Sequence, residues 1–304
     1  MSILIPPPLK PGARVALVAL SRRASEEHVS HARRVLTAWG LTVVPANNLL
    51  SQAHAYLAGT DDQRLADLQA ALDDPTIDAI LCARGGYGSG RIIDRANYAT
   101  LQQHPKWIVG FSDVTALQLK LLSLGIASIH GTMPVLFANP ASIPSIESLR
   151  NALFGKPDAI TAPAAPANKP GRAEGVLVGG NLSLLVDSLG TASELDTNGK
   201  ILVIEEIGEL VYRVDRMVNQ LKRAGKLANL AGLLIGHMTD IKEDPSLAFE
   251  ETPEQIILNH TRAYHYPVAF RFPSGHENPN LAWVQGARVS LEVTAAQSII
   301  TPLV

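Results

Sequence analysis

The sequence has a single cysteine, few aromatic residues and no long apolar run. Because Cys82 has no second cysteine as a partner, an internal disulfide and a zinc site built from several thiolates are both excluded. No apolar stretch approaches the roughly 20 residues that a membrane-spanning helix requires. The formal net charge is −2, from 26 basic and 28 acidic residues, and the basic residues form no long run. We therefore expect neither a nucleic-acid partner nor a membrane partner.

The beginning of the sequence lacks the pattern of a secretory signal peptide. Pro6, Pro7 and Pro8 interrupt the apolar stretch, no basic segment precedes it, and no small-residue cleavage site follows it. We therefore expect a cytoplasmic protein.

The first part of the chain alternates apolar strands with helices. Residues 14–20, 78–83 and 107–110 are short apolar runs, typical of strands that are covered on both faces. Helices are predicted at residues 25–39 and 61–72. This alternation indicates an α/β domain with a mostly parallel sheet.

A change in composition divides the chain. Residues 141–171 contain repeated prolines and alanines around one short helix, which is typical of a linker region. We therefore assign residues 1–140 to the α/β domain and residues 172–304 to a second, smaller domain. Strands predominate there, and the last two, predicted at residues 281–284 and 288–293, favour a mixed β-rich domain with an antiparallel edge.

The strand predicted at residues 107–110 runs into a polar pair, Ser112 and Asp113, before a helix begins. A serine at a sharp strand-to-helix turn lies at the edge of the sheet beside N–H groups of the helix, as catalytic nucleophiles do. Ser and Asp are also favoured N-caps of helices. The local sequence therefore leaves a nucleophile and a helix cap both open.

A serine nucleophile needs a base, and His276 is the candidate. It lies in a loop of small and polar residues that follows the apolar strand predicted at residues 268–272. Loops that leave strand ends commonly carry catalytic groups. A solvated turn with an incidental imidazole remains the alternative interpretation.

The base in turn needs an orienting acid, and Glu205 and Glu206 follow the apolar run at residues 201–204 directly. A carboxylate buried at the end of a strand is costly unless it is paired, and an imidazole is a suitable partner. Alternatively, both glutamates belong to the solvated start of the next helix, with Arg213 or Arg216 as ion-pair partners.

A glycine cluster at residues 85–90 follows the strand predicted at residues 78–83. Glycine lets backbone N–H groups approach a ligand closely, so Gly85 and Gly86 are candidates for an oxyanion site together with the N–H of Asp113. An ordinary flexible turn is the alternative. The spacing is G-x-G-x-G rather than the G-x-G-x-x-G of a dinucleotide site, and neither a phosphate-binding loop nor an H-E-x-x-H zinc motif occurs. No cofactor or metal is expected.

Taken together, six motifs of the sequence resemble the L,D-carboxypeptidase family, which comprises muramoyltetrapeptide carboxypeptidases and microcin C immunity hydrolases. The motifs span nearly the whole chain in the family's order: Ala-Arg-Gly-Gly-Tyr-Gly (83–88), Gly-Phe-Ser-Asp-Val-Thr (110–115), Gly-Gly-Asn-Leu-Ser (179–183), Ile-Glu-Glu-Ile-Gly-Glu (204–209), Tyr-Arg-Val-Asp-Arg-Met (212–217) and Gly-His-Glu-Asn-Pro-Asn (275–280).

The resemblance implies a flavodoxin-like parallel-sheet N-terminal domain and a smaller mixed β-rich C-terminal domain, with the site in the interdomain cleft. It implies a serine peptidase with Ser112 as nucleophile, His276 as base and Glu205 as orienting acid. Glu205 is preferred to Glu206 because the family's acid is the first one after the apolar strand. A Glu-Asp pair is frequent there in the family, so the Glu-Glu of this chain leaves Glu206 open.

The same resemblance implies an oxyanion hole formed by the backbone of Asp113 and of the Gly85-Gly86 turn. Arg84 and Tyr87 are candidate substrate contacts. A homodimer is expected from the resemblance only.

Three hypotheses for the function follow. The first is release of the terminal D-Ala from murein tetrapeptides in peptidoglycan recycling, with a small peptide as substrate. The second is an immunity-type hydrolase of peptide or aminoacyl-nucleotide antibiotics. The third is a two-lobed module that binds a peptide or sugar without catalysis.

Overall fold

The computed structural model describes residues 3–303, so Met1, Ser2 and Val304 lie outside the described residues. Strands and helices alternate from the beginning of the chain. Up to Pro157 the strands are β1 (Arg14–Val18), β2 (Thr42–Pro45), β3 (Ala79–Cys82), β4 (Trp107–Gly110) and β5 (Ser128–His130). The α-helices of this part are α1 (Glu26–Ala38), α2 (Asp61–Asp73), α3 (Ala99–Gln103), α4 (Thr115–Ser123) and α5 (Ile143–Leu153).

Strands predominate in the rest of the chain. They are β6 (Ile160–Pro163), β7 (Gly171–Asn181), β8 (Ile201–Ile207), β9 (Gly232–Thr239), β10 (Val268–Ala269), β11 (Trp283–Gln285), β12 (Arg288–Val293) and β13 (Gln297–Pro302). The α-helices are α6 (Leu182–Asp187), α7 (Val211–Arg223) and α8 (Pro253–Thr261). Within residues 3–303, no helix combines the length and the apolar character needed to cross a bilayer.

The chain divides into two compact units. Of the described residues, the first comprises those up to Pro157 together with Pro279–Gly286, and the second comprises Asp158–Asn278 and those from Ala287 onwards. The division therefore follows Pro157, inside the segment predicted as a linker at residues 141–171. Part of that segment is regular structure, because α5 belongs to the first unit and β6 pairs antiparallel with β13 in the second.

The first unit contains a six-stranded sheet in the order β11-β5-β4-β3-β1-β2. Strands β1 to β5 are parallel, and their order, 2-1-3-4-5, is that of the flavodoxin-like fold. Strands β3 and β4 are fully buried apolar runs, and β1 is buried from Val15 onwards, as expected where helices cover both faces of a sheet. The predicted flavodoxin-like parallel-sheet domain is confirmed.

Strand β11 differs from the prediction. The sequence places a strand at residues 281–284 in the second domain, but β11 pairs antiparallel with β5 in the first sheet, with Trp283 opposite His130. The side chains of this pair are buried, and their rings stack with centroids 4.8 Å apart. A short apolar strand fits either sheet equally well by sequence, so only the tertiary pairing distinguishes them.

The second unit contains a seven-stranded mixed sheet in the order β10-β9-β8-β7-β12-β13-β6. Strands β7 to β10 are parallel, whereas β12 pairs antiparallel with β7 and with β13, and β13 pairs antiparallel with β6. Helix α7 has its apolar residues at a helical spacing on one face, where Val211, Val214, Val218 and Leu221 are buried. The predicted mixed β-rich C-terminal domain is confirmed.

Candidate functional site

Ser112 lies at the turn between β4 and α4. Phe111 is still extended, whereas Ser112 has a φ angle of 61°, in the left-handed region. This conformation costs a residue other than glycine roughly 1–3 kcal/mol, and it persists only where the surrounding structure imposes it. The side chain is half-buried and begins a single 3₁₀ turn that leads into α4.

The helix-cap interpretation of Ser112 fails on geometry. The residues in the N-cap positions are Phe111 for the 3₁₀ turn and Val114 for α4, and neither makes a side-chain capping bond within the described chain. Ser112 thus stands in a strained turn for a reason other than capping.

Two glycines make the strained turn possible by close approach. A Cβ atom on Gly110 would lie 2.7–2.9 Å from three side-chain carbons of Val114. A Cβ atom on Gly85 would lie 2.9 Å from the Cβ of Ser112 and 3.1 Å from its Oγ. The backbone of Gly85, in the glycine cluster, therefore lies directly against the serine.

Asp113 holds this turn with its side chain. The buried carboxylate accepts hydrogen bonds from the Ser21 hydroxyl and from the N–H groups of Gly88, at 3.3 Å, and Ser89, at 2.8 Å. The Ser89 hydroxyl in turn donates to the Asp113 carbonyl at 2.6 Å. The loops that follow β1, β3 and β4 are thereby joined through one carboxylate, a role that the sequence did not reveal.

Arg64 of α2 also bonds to two of these loops, those that follow β1 and β3. Its guanidinium is fully buried and donates to the carbonyls of Leu20 and Gly88, the latter at 2.7 Å, and it pairs with Asp61 at 2.5 Å. Sequence reasoning missed this residue, because a basic residue in an amphipathic helix ordinarily faces solvent.

The two predicted substrate contacts, Arg84 and Tyr87, differ in exposure. Arg84 is half-buried and donates from Nη1 to the Arg23 carbonyl at 3.1 Å, whereas the Tyr87 side chain is exposed. Burial, followed by the positive charge of Arg22, lowers the pKa of Arg84 below its ordinary value. Gly86 has a φ angle of 121°, and a Cβ there would lie 2.8 Å from the Cβ of Arg22.

In the second unit, the structure brings Glu205 and His276 together. The Oε2 atom of Glu205 lies 2.8 Å from the Nδ1 atom of His276. Glu205 is fully buried near the end of β8, and the His276 side chain is 14% exposed. An ionised carboxylate can only accept, so this contact selects the tautomer of His276 in which Nδ1 is the donor.

Two further glycines make room for this carboxylate. A Cβ on Gly275 would lie 2.8 Å from Oε2 of Glu205, and a Cβ on Gly236 would lie 3.1 Å from the Cβ of Glu205 and 2.4 Å from the Ser274 carbonyl. Any larger residue at either position would displace the carboxylate or the loop that carries His276.

The neighbouring Glu206 has different hydrogen-bond partners. Its carboxylate accepts from the Asn181 side chain at 2.9 Å and from the N–H groups of Ser183 and Ile207 at 2.8 Å. It thus holds the beginning of α6, and burial raises its pKa. Both glutamates are buried, and Arg213 pairs instead with Glu209 at 3.5 Å, so the interpretation as a solvated helix start is wrong.

His237, on β9, holds the loop of His276 on both sides. Its N–H donates to the Ser274 carbonyl at 2.8 Å, and its Nδ1 accepts from the N–H of Glu277 at 3.0 Å. Burial lowers the pKa of His237, which favours the neutral ring that this accepting role requires. Sequence reasoning did not single out this histidine, because it lies inside an apolar strand with no polar motif around it.

The predicted site residues therefore fall into two groups. Ser112, Asp113 and the glycine cluster meet in the first unit, and Glu205 and His276 meet in the second. Among residues 3–303, no group of three or more His, Cys, Asp or Glu side chains is placed to hold a metal ion.

Comparison with known proteins identifies the family. A family model described as the LD-carboxypeptidase N-terminal domain matches residues 15–131, and one described as the LD-carboxypeptidase C-terminal domain matches residues 174–291. A relative from Bacillus subtilis, described as a probable murein peptide carboxypeptidase, is 36% identical over 97% of this chain and 93% of its own length. The chain belongs to the LD-carboxypeptidase family. The family inferred from the sequence motifs is confirmed.

Other members and structural neighbours agree. The murein tetrapeptide carboxypeptidase of Pseudomonas aeruginosa is 32% identical over 92% of this chain and 93% of its own length. The crystal structure of muramoyltetrapeptide carboxypeptidase from Oxalobacter formigenes superposes with a TM-score of 0.87 at 25% identity, covering 95% of this chain and 98% of that one. The microcin C7 self-immunity protein MccF superposes with a TM-score of 0.86 over 98% of both chains, but at 20% identity this likeness shows the fold alone.

Proposed function

We propose that this protein is a serine L,D-carboxypeptidase that releases the terminal D-Ala from murein tetrapeptides in peptidoglycan recycling. The observation that carries the proposal is the buried Glu205–His276 hydrogen bond of 2.8 Å in a chain of the LD-carboxypeptidase family. Burying a carboxylate is costly, and pairing it with an imidazole is the arrangement that a serine hydrolase needs to orient its base. The names of the full-length relatives supply the substrate class.

In the proposed mechanism, Ser112 is the nucleophile of a Ser-His-Glu triad. Nε2 of His276 takes the Ser112 proton as Oγ attacks the carbonyl carbon of the L,D-peptide bond, and Glu205 stabilises the imidazolium. The proton then passes to the departing amino group of D-Ala. Water, activated by the same imidazole, hydrolyses the acyl-enzyme and restores Ser112.

We assign the developing oxyanion to backbone N–H groups of Asp113 and of the Gly85-Gly86 turn. The strained φ of Ser112 supports this assignment, because Ser112 ends the extended chain of β4 and begins the 3₁₀ turn that leads into α4. The close approach of Gly85 to Ser112 supports the second donor.

Replacement of Ser112 by alanine tests the proposal. We expect Ser112→Ala to lower kcat on murein tetrapeptide by on the order of 10⁴-fold or more, since a triad without its nucleophile loses nearly all of its rate enhancement. Release of D-Ala is the measurement. Ser123→Ala, on the exposed surface of α4, is the matched control and should retain full activity. Wild-type turnover by the Ser112 variant would refute the assignment.

The second candidate, an immunity-type hydrolase, is favoured only by the fold that the chain shares with MccF. A nucleotide base is commonly held by an aromatic side chain, and residues 140–170 contain no Trp or Tyr and only Phe154. Assaying murein tetrapeptide and an aminoacyl-sulfamoyl nucleotide side by side distinguishes the two. Faster cleavage of the nucleotide substrate would replace the first proposal.

The family membership also supports our proposal that the protein works as a homodimer in the cytoplasm. Light scattering of the purified protein tests the dimer, and fractionation of the source cells tests the location.

A further inference from the structure

Arginines cluster where the order of the parallel strands reverses. In the order β2-β1-β3-β4-β5, the reversal lies between β1 and β3, and ligands of such sheets bind beyond the carboxyl ends of that strand pair. Arg22 and Arg23 follow β1, and Arg84 follows β3. The first unit thus carries positive charge at the position where its fold type binds ligands.

The charge of this cluster is not neutralised within the described residues. No Asp or Glu forms an ion pair with Arg22, Arg23 or Arg84 there, and the Nε atom of Arg84 is buried without a hydrogen-bond partner among residues 3–303. Like charges held together without a carboxylate favour binding of an anion. The same electrostatic repulsion contributes to the lowered pKa of Arg84.

Both guanidiniums are held by their surroundings. Arg84 is fixed through its bond to the Arg23 carbonyl, and the Arg22 guanidinium lies 5.4 Å from the centre of the Tyr56 ring. Such ordering lowers the entropy lost on binding an anion.

The cluster also adjoins the nucleophile. Arg84 directly precedes Gly85, whose backbone lies against Ser112, and the N–H of Arg22 donates to the Gly85 carbonyl at 3.4 Å. Neighbouring Cα atoms are about 3.8 Å apart, so the Cα of Arg84 lies at that distance from the Cα of Gly85, the glycine whose backbone lies against Ser112. A carboxypeptidase needs a cation at such a short range, because the carboxylate of its leaving residue lies one residue beyond the cleaved bond.

We propose that Arg22 and Arg84 bind the free C-terminal carboxylate of the peptide and thereby restrict cleavage to the last residue. This inference rests on the proposed carboxypeptidase function. Guanidinium groups match the two oxygens of a carboxylate through parallel N–H donors, so the pair selects a chain end over an internal residue.

Two substrates separate this role from binding of any other carboxylate in the peptide. One is the murein tetrapeptide with its free D-Ala carboxylate, and the other is the same peptide ending in D-alaninamide. Kinetics are measured for the wild type, Arg22→Ala, Arg84→Ala and Arg84→Lys. Arg34→Ala removes an exposed arginine on α1 and is the matched control.

We expect the wild type to prefer the free acid by about 100-fold in kcat/KM, as charge-assisted hydrogen bonds allow. Each alanine variant should lose about 10- to 100-fold on the acid, mainly through a raised KM, and little on the amide. Arg84→Lys should lie between, because an ammonium keeps the charge without the paired donors. The Arg34 variant should behave as the wild type.

Equal losses on both substrates, or an unchanged preference for the acid, would overturn the inference. Arg22 is exposed, so Arg22→Ala tests the role even if Arg84→Ala fails to fold, which thermal unfolding of each variant reports. A wild type that cleaves neither substrate would instead refute the proposed function, so the two failures are distinguishable.

Discussion

Glu205 and Glu206 are adjacent in sequence and both are buried, yet their partners differ completely. Alternation along β8 directs their side chains to opposite faces, so one carboxylate meets His276 and the other meets the beginning of α6. The three donors to the Glu206 carboxylate are the Asn181 amide and the N–H groups of Ser183 and Ile207, and none of them is an imidazole. The contacts therefore favour Glu205 as the orienting acid, the choice that the family resemblance implies.

Conservative amides at the two positions test this division. Glu205→Gln should lower kcat by about 10²- to 10⁴-fold with little change in stability, because an amide no longer stabilises the imidazolium. Glu206→Gln should lower the free energy of unfolding by about 1–3 kcal/mol, because its NH₂ group would face the N–H of Ser183.

Tetrapeptide turnover and urea unfolding of both variants are the measurements, and each variant serves as the control for the other. A reversed pattern, in which the Glu206 variant loses turnover and the Glu205 variant loses stability, would exchange the two roles.

At the level of elements, the loops after β1, β3 and β4 behave as one assembly. The carboxylate of Asp113 joins them from within, and the guanidinium of Arg64 joins two of them from α2. These bonds satisfy backbone groups of the loops, among them the N–H groups of Gly88 and Ser89 and the carbonyl of Leu20. The assembly explains how a short strand-to-helix turn keeps Ser112 in a left-handed conformation.

Removal of the Arg64 guanidinium should therefore be costly. Among the described residues, Arg64→Ala leaves the buried carbonyl of Leu20 without a donor and leaves that of Gly88 only the N–H of Arg91, at 3.3 Å. We expect a loss of about 3–5 kcal/mol in the free energy of unfolding. Arg95→Ala breaks an ion pair with the exposed Asp62, and it should cost less than about 1 kcal/mol.

Urea unfolding monitored by circular dichroism compares the two arginine variants. Similar small losses in both would show that the buried guanidinium does not stabilise the loops.

At the level of the whole molecule, each unit is built from two segments that are separated in the sequence. Residues 279–286 interrupt the second unit and add β11 to the sheet of the first. The histidine loop and β11 are therefore neighbours in sequence, although they belong to different units. The first unit therefore depends for its stability on the segment Pro279–Gly286, which begins more than 120 residues after Pro157 in the chain.

This connection predicts where a mutation in β11 acts. Trp283→Ala removes a buried ring that stacks on His130, and it should cost about 3–5 kcal/mol, as large aromatic truncations in cores do. Hydrogen exchange should rise in peptides of β4 and β5 and remain unchanged in those of β7 to β9. Leu247→Ala, at an 80% exposed position, is the control. Faster exchange confined to the second sheet would contradict the pairing.

Local sequence determined much of this protein. Apolar runs and helix periodicity predicted the parallel strands β1, β3 and β4 because these patterns report burial within one element. Motifs at strand ends singled out Ser112, Glu205 and His276 as candidates, since loops that leave strands commonly carry functional groups.

Only the tertiary structure decided the remaining features. The sheet that β11 joins, the partners of Glu205 and Glu206, and the buried roles of Asp113 and Arg64 all depend on residues far away in the chain. The sequence does not distinguish a polar side chain that is solvated from one that bonds to a distant carbonyl. The hydrogen-bond partner and the burial of such a residue depend on how the strands pair, because both exist only in the folded chain.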